Sequence, residues 1–107
     1  MAWLALIVAG LLEVVWSYFM KLSEGFSKPG PSAVTIVAMI ASFVLLSYAM
    51  KSLPLGTAYT IWTGIGAIGA FGVGVLFLHE PATALRILAA CLVIGGLVIF
   101  RVAEGRT

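Results

Sequence analysis

AWLALIVAGLLEVVWSYFM, residues 2–20, is an apolar run long enough to cross a bilayer, with a single carboxylate, Glu13, in its middle. Its nine Leu, Ile, Val and Phe residues each favour insertion by roughly 0.3 to 0.6 kcal/mol, whereas one acidic residue opposes it by roughly 2.5 to 3.5 kcal/mol. The helix therefore inserts with little to spare. An acid kept at that cost faces a bundle interior or a watery cavity and marks an ion or substrate path. The alternative is a structural carboxyl, protonated and hydrogen-bonded between helices. It requires a partner, and no Lys, Arg or His stands mid-span anywhere in the chain.

The composition agrees with a membrane setting. Of 107 residues, 63% are hydrophobic and 9% charged, which lies outside the range of soluble domains and leaves none to be found. The net charge of +2 does not imply nucleic acid, because the six basic residues are scattered at span ends, where they anchor helices to the interface. The first span lacks a basic leader region and runs into KLSEG, so it reads as a retained helix and not a signal peptide. Cys91 is the only cysteine, which leaves no disulfide framework and no metal spacing; no cofactor and no enzymatic chemistry are expected.

Further along, KLSEGFSKPGP (residues 21–31) has the charge, glycine and proline of a solvated connection. Residues 32–50 form a second span, with Thr35 and Ser42 seven apart on one face. The link Lys51-Ser52-Leu53-Pro54 is short enough to require antiparallel neighbours, with Ser52 as N-cap and Pro54 in the first turn of the third helix. The third span, residues 55–78, carries six glycines, whose density permits close helix approach or a bend. His79 to Thr83 closes it, with His79 expected in solvent. The fourth span, residues 84–101, places Ala89 and Gly96 on one face. The expectation is an all-α integral membrane protein: one four-helix transmembrane domain over residues 1–107, with helices at about 2–20, 32–50, 55–78 and 84–101.

Four spans put both termini on one side. That side holds Lys51, Arg101 and Arg106, and the other holds Lys21, Lys28 and Arg86, so the positive-inside rule sees three against three. The balance points to insertion both ways and pairing with an inverted copy, the alternative being an orientation set by some weaker signal. Four packed helices fill the space between them with side chains and leave no lumen for a solute. A transport path therefore needs a second chain, and an antiparallel homodimer supplies the two-sided symmetry that larger transporters obtain from inverted repeats.

Helical spacing sets Gly10, Glu13, Trp16, Ser17 and Met20 on one face of the first helix, and Gly56, Tyr59, Trp62, Thr63 and Gly66 on one face of the third. For Tyr59 and Trp62 an interfacial aromatic belt stands as the alternative, weakened because both lie four or more residues inside the span after Pro54; for Ser42, a bond back to its own helix stands beside a role at the acid. Together these residues offer one carboxylate, aromatic faces suited to cations, and hydroxyls able to hold the carboxylate in place. Burial penalises the charged form of a carboxyl and a bound cation favours it, so proton and cation compete for one oxygen pair, which is sufficient for antiport.

AGLLEVVWSYFMKLSEGF, SFVLL, PLGTAYTIWTGIGAIGA and the GG of IGGLVIF make the sequence similar to the small multidrug resistance family across all four helices. The resemblance implies a proton-coupled exporter of organic cations, multi-pass in a bacterial-type inner membrane and working as an antiparallel, dual-topology homodimer. Glu13 is then the shared proton and substrate site. Trp16 three residues after the glutamate, AMKSLPLGTAY and TIWTGIGA resemble the guanidinium-exporter subtype. On that resemblance Ser42, Tyr59 and Trp62 bond to or enclose Glu13, Gly64 and Gly66 mark a hinge in the third helix, and Ala89 and Gly96 belong to a dimer contact where a glycine is expected in place of Ala89. A planar guanidinium fits a carboxylate's two oxygens in a fork that a quaternary ammonium cannot form. Three other readings stay open: export of quaternary ammonium or polyaromatic cations, a passive cation channel, and a non-transporting assembly subunit.

Overall fold

The computed structural model of the chain describes residues 2–106. Four helices account for most of them: α1 (Ala2–Leu22), α2 (Pro29–Ala49), α3 (Leu55–Phe77) and α4 (Ala84–Arg106), each with a segment long and apolar enough to cross a membrane. Among the described residues there is no strand.

Two boundaries depart most from the sequence expectation: α4 continues to Arg106 and does not end near residue 101, and the start of α2 is moved by proline chemistry. α2 begins at Pro29 and not near residue 32, because the first turn of a helix has no use for the N–H groups that Pro29 and Pro31 lack. At α3, which begins at Leu55, it is the cap that differs and not the boundary: Pro54 stands in the extended cap position and not in the first turn, and Ser52 supplies no side-chain cap. The connection between α1 and α2 shrinks to a tight turn in which Glu24, Gly25 and Phe26 all take positive φ. The Ser23 hydroxyl holds this turn, donating to the Met20 carbonyl at 2.6 Å and accepting from the Phe26 N–H at 3.0 Å. Beside it the Lys28 ammonium bonds to Glu24 and keeps that carboxyl below its ordinary range. At the start of α4, the Thr83 hydroxyl accepts from the Arg86 N–H and caps the helix.

The helices lie in the spatial order α2, α1, α3, α4, with α1 packed on both α2 and α3 and α4 packed on α3. The resulting layer measures 45 × 35 × 16 Å, too thin to enclose a channel. Its core, Ala5, Leu6, Ala9, Leu46, Ala49, Ala58, Ile61 and Trp62, lies toward the end where the chain termini sit. Every buried residue of α1 falls in the first half of that helix. The bundle is therefore tight at the terminal end and looser beyond Glu13. Arg101 adds a tie at the tight end by lying 4.6 Å over the Trp3 ring. α4 otherwise turns its apolar side chains outward, Leu85, Leu92 and Ile99 being about two-thirds exposed or more.

Candidate functional site

Glu13 projects from α1 onto α3 at Gly66. A Cβ at that position would overlap the Glu13 carboxyl and stand 2.8 Å from its Cγ, so only glycine lets the acid lie against the α3 backbone. The same device repeats along the seam: Ile65 fills the space beside Gly10, and Val14 the space beside Gly69. Glu13 Oε1 is buried and has no hydrogen-bond partner among the described residues, and the indole Nε1 of Trp16, one turn further along α1, is in the same condition. Native interiors rarely leave such groups unmatched, and each unmatched group calls for an explanation such as a ligand, ion or water.

Below the carboxylate runs a hydrogen-bonded chain. The Trp62 indole N–H donates to Ser42 Oγ at 2.9 Å, and the Ser42 hydroxyl donates to the Ala9 carbonyl at 2.7 Å. Ser42 and Trp62 are both buried. Ser42 thus bonds to the α1 backbone one turn before Glu13, a third destination beside its own helix and the acid itself. A row of rings lies over this chain: Trp16 meets Phe43 edge-on at 6.4 Å, Phe43 meets Trp62 at 5.8 Å, and Trp62 meets Tyr59 at 5.6 Å. Such spacings suit aromatic pairing, and the row walls the site with π surface from α1 through α2 to α3. Tyr59 stays half exposed and opens on a cavity of about 420 Å³ between α3 and α4, lined also by Thr63, Gly96, Leu97 and Phe100.

Sequence reasoning passed over Phe43, although it comes directly after Ser42. Its place in the ring row depends on α2 lying across α1, which no helical spacing reveals. The Ala9 carbonyl, a backbone group, leaves no mark in sequence. Gly64 and Gly66 lie in an unbroken α3 and serve here as seats, Gly64 for Leu97 of α4 and Gly66 for Glu13. Ala89 is exposed, and a Cβ on Gly96 would meet nothing, so neither is packed within one chain. Among the described residues no group of His, Cys, Asp and Glu is placed to hold a metal ion.

A sequence profile described as Small Multidrug Resistance protein matches residues 1–93. A guanidinium exporter of Yersinia pseudotuberculosis is 52% identical over 104 residues, covering 97% of this chain and all of the relative. A guanidinium exporter of Salmonella typhimurium is 53% identical and one of Escherichia coli 50% identical, each over 98 residues, covering 92% of this chain and 93% of the relative.

Proposed function

Because the chain belongs to the small multidrug resistance family, we propose that it exports guanidinium and small substituted guanidinium cations in exchange for protons. It is a multi-pass protein of the inner membrane. In the proposed cycle, Glu13 holds either a proton or the cation: the neutral carboxyl plus guanidinium gives the carboxylate–guanidinium pair and a free proton, and the reverse reaction reloads the proton. The observation that carries this reading is the buried Glu13 oxygen without a partner, set against the backbone at Gly66 and beside an equally unpaired Trp16 indole. A planar cation with several N–H groups satisfies both carboxylate oxygens at once. The rings of Trp16, Phe43, Trp62 and Tyr59 supply faces for its charge, and the Ser42–Ala9 bond holds α1 in register beneath it.

The transporting unit is taken to be an antiparallel, dual-topology homodimer. A layer 16 Å thick encloses no channel of its own, and the outward apolar side chains of α4, with Ala89 and Gly96 unpacked among them, offer the surface for a second copy. Bending of α3 around Gly64 and Gly66 then exchanges the open side, with only the loaded states crossing.

The test is guanidinium-evoked proton release from purified protein in weak buffer, paired with electrical recording in liposomes. The parent releases protons on adding guanidinium and moves it against its gradient when a proton gradient is imposed. Glu13→Gln stays a folded dimer and does neither. An intact Glu13→Gln variant that still transports, or a parent that passes guanidinium without proton coupling, overturns the reading. A preference for quaternary ammonium over guanidinium in the same recordings moves the substrate to the broader class.

A further inference from the structure

The seam between α1 and α3 does not end at Glu13. One turn beyond the Glu13–Gly66 contact it widens into a cavity of about 190 Å³ lined by Ser17, Tyr18 and Lys21 of α1, by Ala70, Val73 and Gly74 of α3, and by Leu78 and Glu80 just after α3. Ser17 is about 6 Å along the helix from Glu13 and Lys21 about 12 Å, so the inner end of the cavity adjoins the buried carboxylate and the outer end lies at the membrane surface. This is the loose half of the bundle, where α1 has no buried residue.

Glu80 does not simply point into solvent. Its backbone N–H donates to the Gly74 carbonyl at 3.0 Å, and its carboxyl folds back over α3, so close to Gly74 that a Cβ there would collide with it and stand 2.9 Å from its Cδ. His79, held at positive φ, turns the chain so that this return is made. A second glycine thus seats a second carboxylate on the same face of α3 that receives Glu13. The charged side chain sharing the cavity with it is Lys21; α3 contributes none.

We propose that Glu80 is an outer recognition carboxylate for the small organic cation that Glu13 takes up. It captures the cation at the mouth of the α1–α3 seam and offsets the positive field of Lys21, which would otherwise repel it. This inference rests on the cation-exporter reading above; in an antiparallel dimer each membrane face presents one such mouth. Attraction at the mouth of a low-dielectric cleft raises the rate of encounter and is weakened by salt, so the residue governs apparent affinity and not the maximal rate.

The experiment is guanidinium transport in liposomes, with KM and maximal rate measured at low and high salt. Glu80→Gln raises KM roughly fivefold at low salt, leaves the maximal rate unchanged, and loses most of this effect at 0.5 M salt, a concentration at which charges are screened beyond about 4 Å. Gly74→Ala, which displaces the carboxyl without removing it, shifts KM in the same direction. Adding Lys21→Gln to Glu80→Gln recovers most of the lost apparent affinity. An unchanged KM in Glu80→Gln, or a rise that neither salt nor Lys21→Gln reduces, overturns the proposal. Failure of the Glu13 mechanism is separately visible as absent guanidinium-evoked proton release in the parent, whereas Glu80→Gln retains that release at saturating guanidinium.

Discussion

Replacing Gly66 by Ala adds one methyl group where the Glu13 carboxyl now rests. The new Cβ would stand 2.8 Å from Glu13 Cγ and nearer still to the carboxyl carbon and Oε1, against an optimal carbon–carbon separation of about 3.5 to 4.0 Å. The carboxyl must therefore retreat by roughly 1 Å. Sliding α1 away as a body is resisted, because Ile65 is seated at Gly10 and Val14 at Gly69 on either side of the contact. Rotation of the Glu13 side chain is the cheaper relief. Overpacking of this kind costs about 1 to 3 kcal/mol, which is about 5- to 150-fold in an equilibrium constant if it falls on the binding pose. Guanidinium titration of the purified protein, followed by tryptophan fluorescence, should show affinity weakened by about tenfold or more. Gly64→Ala is the matched control. It makes a comparable collision with Leu97 of α4, whose Cγ would lie 3.0 Å away, so it should lower resistance to denaturant and leave affinity near the parent value. Parent-like binding by Gly66→Ala, or equal losses of binding in the two variants, would refute the assignment of Gly66 as the seat of the acid.

Three further outcomes are expected. Ser42→Ala should destabilise the fold by about 1 to 3 kcal/mol in denaturant titration, because it removes the bond to the Ala9 carbonyl and leaves the buried Trp62 N–H unpaired; Trp62→Phe in the same chain should restore part of the loss, and strict additivity would disprove the coupling. Guanidinium binds the deprotonated form of Glu13, so its apparent affinity should fall as pH drops through the pKa of that carboxyl, about tenfold per pH unit for each proton displaced, and calorimetry across pH 5 to 9 showing a flat affinity would remove the competition. In a Cys91→Ala background, a cysteine placed at the C-terminus should be labelled from both membrane faces in fully active vesicles, and labelling from one face alone would rule out dual topology.

Much of this was legible in the sequence because a bilayer imposes simple rules. Without water to satisfy backbone groups, an apolar run must be helical, so length and hydropathy alone located four spans, and a single carboxylate in the first could be singled out without any contact being known. The balance of Lys21, Lys28 and Arg86 against Lys51, Arg101 and Arg106 was likewise countable, since orientation depends on which loop a charge occupies. Helical periodicity even grouped Glu13 with Trp16 and Tyr59 with Trp62, because residues three apart share a face.

What only the tertiary structure decided is which faces meet and at what level. Periodicity says that Gly66 and Glu13 each lie on a glycine-bearing face; it cannot say that one receives the other, because register between helices is set by how side chains interlock along the seam, as Ile65 at Gly10 and Val14 at Gly69 show. Ser42 offered a hydroxyl to any acceptor in reach, and packing of α2 on α1 sent it to a backbone carbonyl that carries no residue identity. Phe43 joined the ring row, and Glu80 returned to Gly74, for the same reason: long-range placement depends on the crossing of whole helices, whereas the periodic pattern along one helix records only which way its own side chains point.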